Sequence, residues 1–123
     1  MKRIVLVLLA IALMVGSTPV FAQSRYSLKT SDAVETSTAL VLAAGTWVYG
    51  IKIFADASSS FAGVYDCATL GDASASTLVD EIGEATQYDS AEIKYSKPKY
   101  FADGVTVVMT TGVLQIEYGP QPE

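Results

Sequence analysis

Asp80, Glu81 and Glu84, followed closely by Asp89 and Glu92, form the densest gathering of proton-bearing side chains in this sequence. Two carboxyl groups across a cleft suffice as acid and base for glycoside hydrolysis, so this spacing raises that chemistry first. The plainer reading is a solvated acidic strand face that keeps a sheet edge soluble, and it is the expectation here. No histidine occurs among the 123 residues. Serine triads and cysteine–histidine pairs are thereby excluded, and proton transfer near neutral pH loses its commonest agent. The sequence reads as that of a protein that is not an enzyme and needs no cofactor.

Hard carboxylate oxygens in loops suit calcium, and Asp66, Asp72 and Asp103 fall in or beside segments read as loops. None of them sits in the spacing of an EF-hand, so no metal site is assigned. Cys67 is the only cysteine, which rules out an internal disulfide. It reads as a small buried apolar residue, with an intermolecular bridge as the alternative. Aromatic side chains offer a binding surface instead: Trp47, Tyr49, Tyr65, Tyr95, Tyr100 and Tyr118. Most fall on the apolar face of their expected strands. Tyr100, in the less regular segment after Pro98, and Trp47 are the binding candidates, for a sugar ring or a protein partner.

The elements that must position these groups begin after an export leader. Lys2 and Arg3 precede an apolar run from Ile4 to Val15, then Gly16, Pro19 and a small-residue site ending at Ala22. Twelve apolar residues rise only about 18 Å as a helix against a hydrocarbon core of about 30 Å, which favours a cleaved signal over a membrane anchor. Residues 1–22 are expected to be removed and the product to be secreted or periplasmic. Six basic residues then face thirteen acidic ones, a net charge of about −7. So acidic a chain is repelled by phosphate backbones and anionic lipid, so nucleic acid is not an expected partner.

Short β-prone segments separated by Gly, Ser and Asp follow, without a sustained helical period. Strands are expected over 25–30, 37–44, 47–55 and 61–69. In the third, Trp47, Tyr49, Ile51 and Ile53 share one face by alternation. Residues 77–86 admit a short helix or a strand, and strand neighbours on both sides favour the strand. Residues 90–96 alternate cleanly until Pro98, which suits an edge or a bulge. Residues 105–110 and 113–118 read as a hairpin turning at Thr111 and Gly112. Alternation would place Trp47, Ile51, Val107 and Ile116 in one dry layer. The expected architecture is a small antiparallel β-sandwich, jelly-roll or immunoglobulin-like, over residues 37–119, with a small barrel as the alternative. Residues 23–36 form an N-terminal segment and 120–123 a disordered tail.

The stretches GTWVYGIKI (45–53), GVYD (63–66), KYFADGVTVV (99–108) and VLQIEY (113–118) resemble small β-sandwich proteins encoded among bacteriophage structural genes. The resemblance spans roughly residues 38–118. It implies a virion or fibre-like structural module that assembles with copies of itself or with a larger particle, and exposed strand edges are the expected route of association. Those proteins lack an export leader, and its presence here admits a cell-envelope or extracellular relative of the same fold. The other function open to the sequence is a secreted carbohydrate- or ligand-binding module, with calcium as an accessory.

Overall fold

The computed structural model describes residues 27–123. The expected leader and the start of the first expected strand lie outside the described residues. Eight strands succeed one another: β1 (Lys29–Thr30), β2 (Thr38–Leu42), β3 (Thr46–Phe54), β4 (Ser60–Asp66), β5 (Leu78–Glu84), β6 (Ser90–Phe101), β7 (Val105–Met109) and β8 (Val113–Gly119). One 3-10 turn, Leu70–Asp72, lies between β4 and β5. The segment that admits helix or strand in sequence is thus the strand β5.

Sheet A has the order β1-β8-β3-β6 and sheet B the order β2-β7-β4-β5, with every pairing antiparallel. Strand 1 pairs with 8, 2 with 7, 3 with 6 and 4 with 5, as if one long hairpin had been rolled into two layers. That is the jelly-roll arrangement of a β-sandwich. Only β4 and β5 are joined within one sheet; every other connection crosses between layers.

The expected hairpin of residues 105–118 is therefore corrected: β7 pairs with β2 and β4, and β8 with β1 and β3. Alternation identifies which side chains are buried, but Val105 and Val107 can face Leu114 and Ile116 across the core as readily as lie beside them. The corner decides. Thr111 Oγ1 donates to Ser59 O at 2.9 Å and shares a 2.9 Å hydrogen bond with Ser60 Oγ, tying the β7–β8 crossing to the β3–β4 crossing. Gly112 has φ +91°, and a Cβ there would stand 2.7 Å from Phe54 O. Only glycine accommodates both demands.

A second correction concerns β3. Val48 pairs with Tyr118 and Gly50 with its neighbour Glu117, so Tyr49 is an extra residue in the ladder. This bulge shifts the side-chain alternation by one place. Val48, Ile51 and Ile53 are buried, while Trp47 and Tyr49 turn away from the core. Trp47 thus leaves the dry layer in which strict alternation would place it. On the other side, Tyr49 alone faces residues 95–98 of β6, which absorb Pro98 as a wide bulge in an edge strand. The strand continues past the proline to Phe101 instead of ending there.

The core is the apolar layer between the sheets. Phe101, Ile51, Ile53, Leu114 and Ile116 of sheet A meet Ala62, Val64, Val105 and Val107 of sheet B, all fully or almost fully buried. Each large side chain so buried contributes about 1.5–3 kcal/mol. On β1's side, Ser31 Oγ accepts from Ile116 N at 2.9 Å while Ser31 N donates to Ile116 O at 2.8 Å, extending the cover of β8 beyond a two-residue strand. Replacing Ile116→Ala is expected to lower unfolding free energy by about 2–5 kcal/mol in urea titration, whereas Glu117→Ala on the outer face is expected to stay within about 0.5 kcal/mol.

Candidate functional site

The two aromatic candidates come together. Trp47 of β3 and Tyr100 of β6 are register partners on the outer face of sheet A, directed there by the buried neighbours Val48 and Phe101. Their ring centroids lie 4.9 Å apart with planes inclined by 40°, a tilted contact of the kind aromatic pairs favour. Tyr100 remains 51% exposed and Trp47 partly so. On its other side Trp47 faces Gly119 of β8, over which the Leu28 side chain and the Tyr49 ring lie, Leu28 Cδ2 standing 2.8 Å from where a Cβ would be. Tyr49, displaced outward by the bulge, donates from its hydroxyl to Pro120 O at 2.7 Å and ties the chain after β8 to the same face.

Beyond this ledge the outer face of sheet A dips at Gly50, whose partners are Lys94 on β6 and Glu117 on β8. A Cβ at Gly50 would meet Ile93 O at 2.9 Å, so the close approach of β6 keeps this position bare. The resulting depression holds about 110 Å³ and is rimmed by Thr30, Lys52, Glu92, Gln115 and Glu117. Sequence reasoning finds the aromatics but not this saddle. Its signal was Gly50 itself, a glycine inside a strongly β-prone run, which marks a bulge or a close backbone approach.

Sheet B presents a different outer face. Phe61 (39% exposed), Val108 (37% exposed) and Tyr65 stand on it, with Gly63 between Val108 and Glu81 in register and Gly83 opposite Phe61. The Tyr65 ring lies over Gly63, and Thr106 is buried with Oγ1 donating to Cys67 O at 2.6 Å. At the outward positions of β4, β5 and β7 the single charge is Glu81.

The carboxylates do not converge. Asp80 points between the sheets, where its Oδ2 accepts from Lys99 Nζ at 3.0 Å, while Glu81 faces outward from the opposite side of β5. Glu84 accepts from Thr86 N at 2.8 Å, Asp89 from Ser90 N at 2.8 Å, and Glu92 lies 3.7 Å from Lys94. Asp66, Asp72 and Asp103 do line one depression at the end of the sandwich. Asp66 uses both oxygens to accept from Ala102 N (3.1 Å) and Asp103 N (2.8 Å), and Asp72 accepts from Thr69 Oγ1 at 2.6 Å. These bonds shape the turns that the aspartates occupy. Cys67 is buried, its thiol donating to Thr69 O at 3.3 Å.

Asp80, Lys99 and Tyr95 instead form a latch where the edge strands β5 and β6 approach. Lys99 Nζ sits 4.5 Å above the Tyr95 ring. The Tyr95 hydroxyl is buried and makes no hydrogen bond of normal length. Burial works to raise the pKa of Asp80, but the Lys99 hydrogen bond, the Glu81 N–H and Tyr95 together hold it below the ordinary carboxylate value. Burial first, then the Asp80 carboxylate close by, push the Tyr95 phenol well above its ordinary value.

Comparison with protein-family models, curated proteins and solved structures returned no match for this chain.

The latch makes stability depend on pH at both extremes. A carboxylate with a lowered native pKa contributes fully above its unfolded value of about 3.9 and loses that contribution as pH falls through the native value. A phenol with a raised native pKa contributes fully below about pH 10 and loses that contribution as pH climbs toward the native value. Thermal melts across pH are expected to show a shallower acid decline in Asp80→Asn and a shallower alkaline decline in Tyr95→Phe, each relative to the parent protein.

Proposed function

We propose that this chain is a non-catalytic, exported structural or assembly module of the virion- or fibre-like kind, joining copies of itself or a larger assembly through the outer face of sheet B. One observation carries the reading: that face bears Phe61, Tyr65 and Val108 with Glu81 as its single charge on the three strands β4, β5 and β7. A sheet face with exposed apolar side chains and so little charge suits an interaction surface. The jelly roll serves capsid and lectin domains alike, so topology does not choose between them, and the argument rests on the face.

Strand edges are the poorer route to association. The β6 edge carries Lys94, Lys97 and Lys99, contains Pro98 and bulges, all devices that discourage edge pairing. In β2, residues 39–41 stand opposite a single residue of β7, and Leu40 adopts φ +53°, so that edge is irregular as well. Face-to-face contact through sheet B avoids both obstacles. Dispersal of the carboxylates to opposite sides of β5 and into turn hydrogen bonds supports a non-catalytic role.

Protein purified from an exporting host is expected to run as a discrete oligomer in size-exclusion chromatography with light scattering. Phe61→Glu and Val108→Glu, both at exposed positions, are expected to shift it to a monomer that still melts cooperatively, at a temperature lowered by the loss of association. A parent protein that stays monomeric up to millimolar concentration would overturn the reading.

A further inference from the structure

The outer face of sheet A is built differently from that of sheet B, and we propose that it is a binding site for a neutral oligosaccharide, with the Trp47–Tyr100 ledge stacking one sugar ring and the Gly50 saddle receiving the next. Three features converge on that ligand. The first is the aromatic pair, Tyr100 exposed and Trp47 partly so, whose apolar ring faces match the C–H face of a pyranose. The second is the saddle, whose floor opposite Glu117 lies two β8 residues, roughly 7 Å, from the Trp47 row opposite Gly119. The saddle thus continues the surface on which the ledge stands.

The third is charge. Around the saddle Lys52 and Lys94 are matched by Glu92 and Glu117, so this part of an otherwise acidic chain has no net charge. Thr30 and Gln115 complete a rim of hydrogen-bond donors and acceptors. Hydroxyl groups, which both donate and accept, satisfy such a mixed set. An anionic saccharide would find no excess of positive charge here and would meet repulsion from the rest of the molecule. A peptide fits less well, because the backbones of the central strands β3 and β8 are already paired on both sides and offer it no strand edge.

Trp47 is the only tryptophan, so its emission reports on the ledge directly. Protein purified from an exporting host would be titrated with neutral hexasaccharides of β-1,4-glucan, β-1,3-glucan, xylan and chitin, with polygalacturonate as the anionic comparison. At least one neutral hexasaccharide is expected to shift the Trp47 emission saturably. Tyr100→Ala, which retains the reporter, should weaken that ligand by about tenfold. Glu117→Ala should weaken it with the melting temperature unchanged, and Phe61→Glu on the opposite face should leave it alone. The proposal is overturned if no neutral hexasaccharide alters the emission, if Tyr100→Ala leaves the titration unchanged, or if polygalacturonate binds as tightly as the best neutral ligand.

Discussion

Apolar contact between two facing sheets holds this molecule together, and no covalent cross-link assists it. With a single, buried cysteine the fold rests on the layer in which Ile51, Ile53, Leu114 and Ile116 oppose Val64, Val105 and Val107. Each strand must therefore give one of its two sides to that layer. What remains for recognition is the other side, and the two sheets use it differently: sheet B leaves it apolar and nearly uncharged, while sheet A carries aromatics beside paired charges.

The bulge at Tyr49 and Gly50 links the core to the surface. Inserting one residue into β3 lets Val48 and Ile51 both reach the interior, and the same shift turns Trp47 and Tyr49 outward. Without it, strict alternation would bury the tryptophan with Ile51. A bare Gly50 then lies between Lys94 and Glu117, because the carbonyl of Ile93 comes too close for any side chain. Packing requirements in one strand thus determine both the ledge and the saddle.

Side-chain alternation made much of this architecture readable from sequence. The strands from Thr38 onward, the all-β sandwich, and the inward sides of β7 and β8 follow directly from it. Alternation has period two, however, and carries no information about which sheet a strand joins, so the chain from Val105 to Tyr118 read as a hairpin when it is a crossing between layers. It also fails wherever a residue is inserted, so by alternation alone Trp47 falls in the core as well as among the binding candidates. Tyr100 was legible as a surface residue because the nearby proline breaks the regular pattern. The saddle was not, since it depends on the backbone approach of β6 and on partners that are distant in sequence. Alternation puts Phe61 and Tyr65 on one side of β4, but whether that side faces the core or solvent depends on the position of β5 and β7.

The pairing of β1 with β8 has a consequence for how the molecule comes into being. The first strand finds its neighbour only when the last has been synthesised, and the pairings of β2 with β7 and of β3 with β6 and β8 likewise join segments far apart along the chain. Topologies of this kind close late and comparatively slowly, since long loops must be ordered before their contacts form. A polypeptide with these pairings cannot complete either sheet until β7 and β8 have been made.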